Sequence, residues 1–378
     1  MKFRICTDVS SRALVAAILV SMTALLSANV AAAQDEKEQQ QLISGIYART
    51  KTAKTLNDFT TVIELCEKAR TYKLSKPNYE YLNRLEAWAY NKRGESNADK
   101  AASLTESGDL KQAEELDAVA LKDFSKAVEF DPKRWKAVHN RGVSYAMVGK
   151  YEEAIGDFTR TLELNPKYIN GWFNRAEIRY EIGEYGKAIG DYDRAIELDP
   201  KDVGAYTSRG HSFFQLRRIE EAIRDYSKVL QLAPGNADAY VNRGDAYRAR
   251  GQWDVAAADY RKAVAIDNNS GRAYQSAAWL MATCPDERFR NSELAVEAAN
   301  KAVVLDGASD YKYLDTLAAA YASAGKFTDA KENLAKAIQI APEVEVPVLR
   351  KRYQLYDQQK PYRQQLRTAV QPAAGESR

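Results

Sequence analysis

The chain has 378 residues, 45% hydrophobic and 28% charged, enough apolar material for a buried core beneath an ordinary soluble surface. Its 55 Lys and Arg nearly balance 52 Asp and Glu for a net charge of +3, and Lys2, Arg4 and Arg12 against Asp8 in the first 33 residues hold most of that excess. Such a balance gives no basic footprint for a nucleic-acid partner.

In chain order, residues 1–33 read as a secretory signal peptide. Lys2, Arg4 and Arg12 form the basic start and Ala13 to Leu26 the apolar stretch. Ala31, Ala32 and Ala33 supply small residues before the polar Gln34-Asp35-Glu36. An uncleaved anchor stays open as the alternative, although the apolar stretch falls short of the ~20 residues of a spanning helix. Cys6 precedes that stretch and is misplaced for lipid attachment at a cleavage site. The chain is therefore expected in the periplasm or cell envelope after export.

Residues 34–134 read as degenerate helical units with a polar insertion. Phe59, Ile63, Cys66 and Ala69 suit a second helix whose first partner is weak. Leu82, Leu85, Trp88 and Ala89 suit the first helix of the next unit, and Phe124, Ala127 and Pro132 mark its end. The polar stretch Lys92 to Glu114 between them either lengthens both helices or forms a solvated loop.

From 135 to 270 the pattern becomes regular. Gly142, Ala176, Gly210 and Gly244 lie 34 residues apart. Ala154, Ala188, Ala222 and Ala256 follow with the same period, as do Phe158, Tyr192, Tyr226 and Tyr260. Pro132, Pro166, Pro200 and Pro234 separate the units. A fixed period of this size signals stacked copies of one helix pair, not a closed globule. In Trp135 to Tyr168, Val138, Gly142 and Tyr145 mark the first helix and Gly149-Lys150 the turn. Ala154, Ile155, Phe158 and Leu162 mark the second helix, which Pro166 ends.

These residues resemble the tetratricopeptide repeat (TPR) family, and specifically an exported bacterial member. Trp172, Ala176, Gly183, Tyr185, Ala188, Tyr192, Ala195 and Pro200 occupy its signature positions. Tyr240, Gly244, Tyr247, Gly251, Trp253, Ala256, Tyr260 and Ala263 do so again. The resemblance runs from about residue 57 to 345. It implies an all-α, right-handed superhelical solenoid of antiparallel helix pairs, whose first helices line a concave groove for an extended peptide or a partner's helix.

Residues 271–345 add one expanded and one regular unit. The expansion falls around Thr283-Cys284-Pro285-Asp286, where Ala295 and Ala302 arrive later than the period requires. Either a partner-contacting loop or a tolerated insertion accounts for it. Residues 346–363 suit a capping helix with Leu349, Tyr353 and Tyr356 inward, and 364–378 suit a disordered tail. Cys66 and Cys284 are expected as free thiols, since a disulfide needs Cα atoms within ~7 Å and they sit far apart in the stack.

Catalytic chemistry finds no support. The two histidines, His139 and His211, lie 72 residues apart and are expected as exposed groove residues or partner contacts. No metal-spaced Cys pair, phosphate loop or Ser-His-Asp set occurs, so no catalytic residue, metal or cofactor is expected. Binding has a sharper candidate. Asn140, Asn174, Ser208 and Asn242 each stand two before the repeat Gly or Ala and are expected to face the groove. An Asn amide offers the donor and acceptor that a peptide bond needs. The alternative is that they bond a neighbouring helix or water. His139, Phe173, Tyr180, His211, Phe214, Asp245 and Arg248 are expected beside them. The set lacks the repeated Lys and Arg that clamp a terminal carboxylate in other TPR grooves.

A second periodic set pairs Arg141, Arg175, Arg209 and Arg243 with Asp157, Asp191, Asp225 and Asp259, sixteen residues on. Salt bridges along the helix seam are the expectation, with a basic stripe as the alternative. Arg350, Lys351, Arg352, Lys360, Arg363 and Arg367 suggest a solvated cap face or contact with an anionic membrane surface. The functional expectation is an exported protein-protein interaction scaffold holding an extended peptide or partner segment of unknown identity. Its alternative is an envelope-associated assembly factor acting through outer faces and the basic C-terminal helix.

Overall fold

Each regular helix pair turns on one residue in the left-handed region. Gly149, Gly183, Gly251 and Gly325 hold φ between 73° and 81°. The following residue donates its N–H five residues back, as from Lys150 to Tyr145 (2.9 Å) and from Gln252 to Tyr247 (2.9 Å). This closes the last free carbonyls of the first helix without side-chain help. Arg217 occupies the same place in one pair at φ 60°, a position that favours glycine.

The computed structural model describes residues 34–307 and 309–365, and every regular element among them is helical. The residues read as a signal peptide, residues 1–33, and the tail beyond 365 lie outside that range. The chain divides into two compact units, one ending at Gly171 and one starting at Trp172. The first contains α1 (34–52), α2 (Leu56–Ala69), α3 (Lys76–Ser107), α4 (Leu110–Phe130), α5 (Trp135–Met147) and α6 (Tyr151–Leu164). The division falls within α7 (Ile169–Glu181), which pairs with α8 (Tyr185–Leu198). The second unit continues as pairs α9 (Val203–Gln215) with α10 (Ile219–Leu232), and α11 (Ala237–Arg250) with α12 (Trp253–Ile266). Then come α13 (Gly271–Thr283) with α14 (Ser292–Asp306), α15 (Tyr311–Ser323) with α16 (Phe327–Ile340), and the single α17 (Val346–Asp357).

Close packing explains the repeat glycines. A Cβ on Gly142 would meet the Phe158 ring at 3.0 Å, on Gly210 the Tyr226 ring at 2.7 Å, and on Gly244 the Tyr260 ring at 2.6 Å. Helix pairs can approach this closely only where the first helix carries no side chain. Gly94 in α3 stands the same way against Phe124 in α4, at 2.7 Å. The pair α3–α4 is therefore the regular unit enlarged, and its insertion lengthens both helices, to 32 and 21 residues.

At the N-terminal end, Ile46 of α1 packs with Val62, Ile63 and Cys66 of α2 and Leu82 and Leu85 of α3. This supplies the weak first partner expected for α2. Cys66 and Cys284 are both buried free thiols, and burial pushes the Cys66 thiol up to about 12. At the other end, Leu349 and Tyr356 of α17 close the apolar face of α15 and α16 with Leu314, Leu334 and Ala337. Among the described residues no helix is long and apolar enough to cross a membrane.

Candidate functional site

The four expected seam pairs all form, each a two-point contact. Arg141 reaches Asp157 at 2.7 and 2.7 Å, Arg175 reaches Asp191 at 2.8 and 2.7 Å, Arg209 reaches Asp225 at 2.8 and 2.7 Å, and Arg243 reaches Asp259 at 2.9 and 2.8 Å. Two of these arginines also reach the second helix of the preceding pair, Arg209 at Asp193 (2.6 Å) and Arg243 at Ser227 (3.3 Å). One guanidinium thereby ties three helices, which the planar five-donor fork of arginine permits and a lysine would not. With both partners at the seam, a basic stripe open to acidic ligands is not what forms.

A buried tyrosine hydroxyl in the repeat aromatic finds a partner on the first helix. Tyr192 donates to Glu177 at 2.6 Å and Tyr260 to Asp245 at 2.8 Å. Burial raises both phenols above their ordinary value, and the neighbouring carboxylate adds to this.

The histidines differ from expectation. His139 is only 7% exposed. Its ring lies 5.5 Å from Phe158 and 4.9 Å from Tyr168. His211 is half-buried, with its ring 5.7 Å from Tyr226. Both fill the space beside the repeat aromatic and neither is an exposed groove residue. Burial holds both below the usual imidazole value, and for His211 the Arg272 guanidinium depresses it further.

The positions two before the repeat Gly or Ala sit at the joint between successive first helices. Asn140 donates to Asn91 (3.2 Å) and Glu95 (3.3 Å) of α3. Asn242 is 5% exposed and accepts from Arg272 of α13 at 2.5 Å. The same rule picks out Ser276 and Thr316, which the sequence reading passed over because the expanded unit breaks the period. Thr316 accepts from Gln275 of α13 at 2.7 Å. For Asn140 and Asn242 the neighbouring-helix alternative is the one that forms. Asn174 and Ser208 are half-buried on α7 and α9. Phe173 stands edge-on to Tyr192 at 5.8 Å, Tyr180 edge-on to Tyr185 at 5.2 Å, and Phe214 packs beside Phe213 and Tyr226.

Asp245 and Arg248, by contrast, border an open cleft of about 470 Å³ in the second unit. Four helices build it: Asp245 and Arg248 from α11, Arg272, Gln275 and Trp279 from α13, Lys312, Tyr313 and Thr316 from α15, and Leu349 and Arg352 from α17. Four cations (Arg248, Arg272, Lys312, Arg352) face four carboxylates (Asp245, Asp310, Asp315, Glu345) around it. Many are paired: Arg248 with Asp245 at 3.3 Å, Arg272 with Asp245 at 3.7 Å, and Arg352 with the buried Asp315. Burial raises the Asp315 carboxyl, while Arg352 pulls it down. Arg352 also lies 5.0 Å over the Trp279 ring, a cation–π contact. The cleft thus offers alternating charges, amide and hydroxyl groups, and aromatic faces, the mixture that suits a polypeptide better than a small apolar ligand. Among the described residues no group of His, Cys, Asp and Glu is arranged to hold a metal ion.

The basic C-terminal cluster does not form one face. Arg352 turns into the cleft and Arg363 donates to the carbonyl of Ala282 at 2.9 Å. Arg367 lies outside the described residues.

Stacked antiparallel helix pairs with a cleft lined by their first helices define a helical-repeat interaction protein. Models described as tetratricopeptide repeat match residues 135–168, 207–271 and 311–344, and one described as TPR repeat matches 176–217. The chain belongs to the tetratricopeptide repeat family. Among solved structures, a tetratricopeptide repeat protein from Parabacteroides merdae ATCC 43184 is 19% identical, covers 70% of this chain and 98% of its own, and gives a TM-score of 0.53. A chain of the APC/C hetero-tetramer Cut9-Hcn1 is 18% identical, with coverage of 78% and 52% and a TM-score of 0.51. MamA is 25% identical over 43% of this chain and 94% of its own, at a TM-score of 0.40. The first two likenesses carry the fold. No curated protein matches the chain.

Proposed function

We propose that this TPR protein is an exported scaffold that seats an extended peptide or partner segment along its first helices, chiefly in the cleft of the second unit. The cleft carries the reading: α11, α13, α15 and α17 each turn charged or hydrogen-bonding side chains toward one open space. Exposed strand-like peptide rises ~3.3 Å per residue, so helices packed ~8–10 Å apart would meet about every third residue. Asn174, Ser208, Phe173, Tyr180 and Phe214 on α7 and α9 would extend the same track. Asn140, Asn242 and the histidines would act by fixing helix joints, since their polar groups or rings already face neighbours.

Export rests on the basic start, apolar stretch and Ala31-Ala32-Ala33 at the N-terminus. Cell fractionation with protease protection tests it, and a cytoplasmic, full-length product would count against it. The assembly-factor alternative loses its basic surface, because Arg352 and Arg363 are used internally. For the cleft, a Lys312→Glu, Glu345→Lys variant should reduce co-purified partner at least about ten-fold, the loss of one or two charge-assisted contacts. A Glu220→Lys change on α10 should not. Equal yield from all three proteins would reject the cleft as the seat.

A further inference from the structure

Beyond α17, residues 360–365 leave the helical path and return to the ends of α13 and α11. The reason lies in the expanded turn. Regular first helices end on a left-handed residue whose follower closes the last carbonyls, but α13 ends on Cys284-Pro285, and proline has no N–H to give. Asn291 takes the Met281 carbonyl at 3.2 Å, leaving those of Ala282 and Thr283. Arg363 donates to Ala282 at 2.9 Å and the Gln364 backbone N–H to Thr283 at 2.8 Å. Tyr362 places its ring 6.0 Å from Trp279 and 4.9 Å from the Arg352 guanidinium. The Gln364 side chain accepts from Arg248 at 3.0 Å. Three successive residues thus read three different features at the cleft rim.

We infer that this rim is a peptide subsite for a non-helical aromatic–basic–amide segment, filled in cis by Tyr362, Arg363 and Gln364 and yielded to a partner segment of the same chemistry. The inference rests on the peptide-binding reading above and specifies one end of the track. A short tether holds its own segment at an effective concentration on the order of millimolar, so an incoming copy competes at a disadvantage. The strap therefore sets a threshold: only a partner that adds contacts deeper in the cleft displaces it.

The test uses a labelled, amidated peptide of sequence Lys-Pro-Tyr-Arg-Gln-Gln-Leu, residues 360–366, and fluorescence polarisation. The full-length Tyr362→Ala, Arg363→Ala variant should bind it at least about ten-fold more tightly than the unaltered chain, the advantage a millimolar tether removes. Adding Trp279→Ala should abolish the gain. Gln364→Pro, which deletes the single N–H to Thr283, serves as a second release variant, and circular dichroism checks that each protein is folded. Equal binding to released and unaltered chains, or none to either folded release variant, overturns the subsite. Neither result touches the partner-yield comparison at Lys312 and Glu345, so the two readings fail separately.

Discussion

Arg93 grips Asp123 through Nε and Nη2 at 2.9 and 2.7 Å, the same two-point contact that Arg243 makes with Asp259, although 30 residues separate the first pair and 16 the second. The seam is thus a property of the helix pair that survives a long insertion. Asp259 is 4% exposed, so Asp259→Asn strands a guanidinium beside a neutral amide. We expect a loss of about 2–3 kcal/mol in urea unfolding, somewhat below fully buried pairs because Arg243 keeps partial water contact. Arg243→Met with Asp259→Leu should recover most of it. A single change that leaves the unfolding midpoint untouched would refute the seam's structural role.

Two glycines that look alike in sequence should respond in opposite directions. Gly244→Ala drives a methyl to 2.6 Å from the Tyr260 ring and should cost about 1–3 kcal/mol. Gly190, inside α8, has nothing within 4 Å of a built Cβ, and Gly190→Ala should stabilise by about 0.5–1 kcal/mol through helix propensity alone. Thermal melts of the two variants against the parent decide it.

Arg217 holds φ 60° where the other pairs have glycine. Replacing it with glycine should relieve left-handed strain by about 1–2 kcal/mol, offset in part by glycine's greater unfolded-state entropy. The net gain expected is about 0.5–1 kcal/mol, read as a higher midpoint in urea.

The buried histidines give a pH dependence of defined sign. Both rings are held below their ordinary value of 6.5 by burial. The unfolded chain therefore takes up these protons first as pH falls. Their stabilising contribution is present above about pH 6.5 and is lost as pH drops through that value toward the folded pKa. Glu86, Asp225 and Asp315, raised by burial, act the other way at lower pH. The His139→Gln, His211→Gln double variant should accordingly lose less midpoint temperature between pH 7.5 and 5 than the parent. An identical loss in both would contradict this.

The 34-residue period made the helix pairs, the seam and the cap legible, because each depends on residues at a fixed separation. Arg93–Asp123 was hidden for the same reason: the insertion between them removed the spacing that revealed the other four. His139 misled because its burial depends on Tyr168, which reaches it from the next inter-helix loop and not from its own helix pair. A signal for the tyrosine hydroxyls was present, since Val143, Glu177, His211 and Asp245 stand fifteen residues before Phe158, Tyr192, Tyr226 and Tyr260. Only the tyrosines have a polar residue at that offset. The cleft was half legible, through Asp245 and Arg248. Arg272, Trp279, Lys312 and Arg352 fell beyond the expanded unit, where counting by 34 fails. Nothing periodic marks Tyr362 to Gln364, whose place is set by carbonyls that Pro285 leaves open.

The central claim is that partners meet the first-helix face of the second unit. A photo-crosslinking amino acid placed at Lys312, on the cleft, and separately at Arg224, on the exposed side of α10, tests it in intact cells. The account predicts a discrete crosslinked species from Lys312, lost on adding Glu345→Lys, and none from Arg224. Crosslinks from Arg224 with none from Lys312 would place the partner on the outer helices and contradict it.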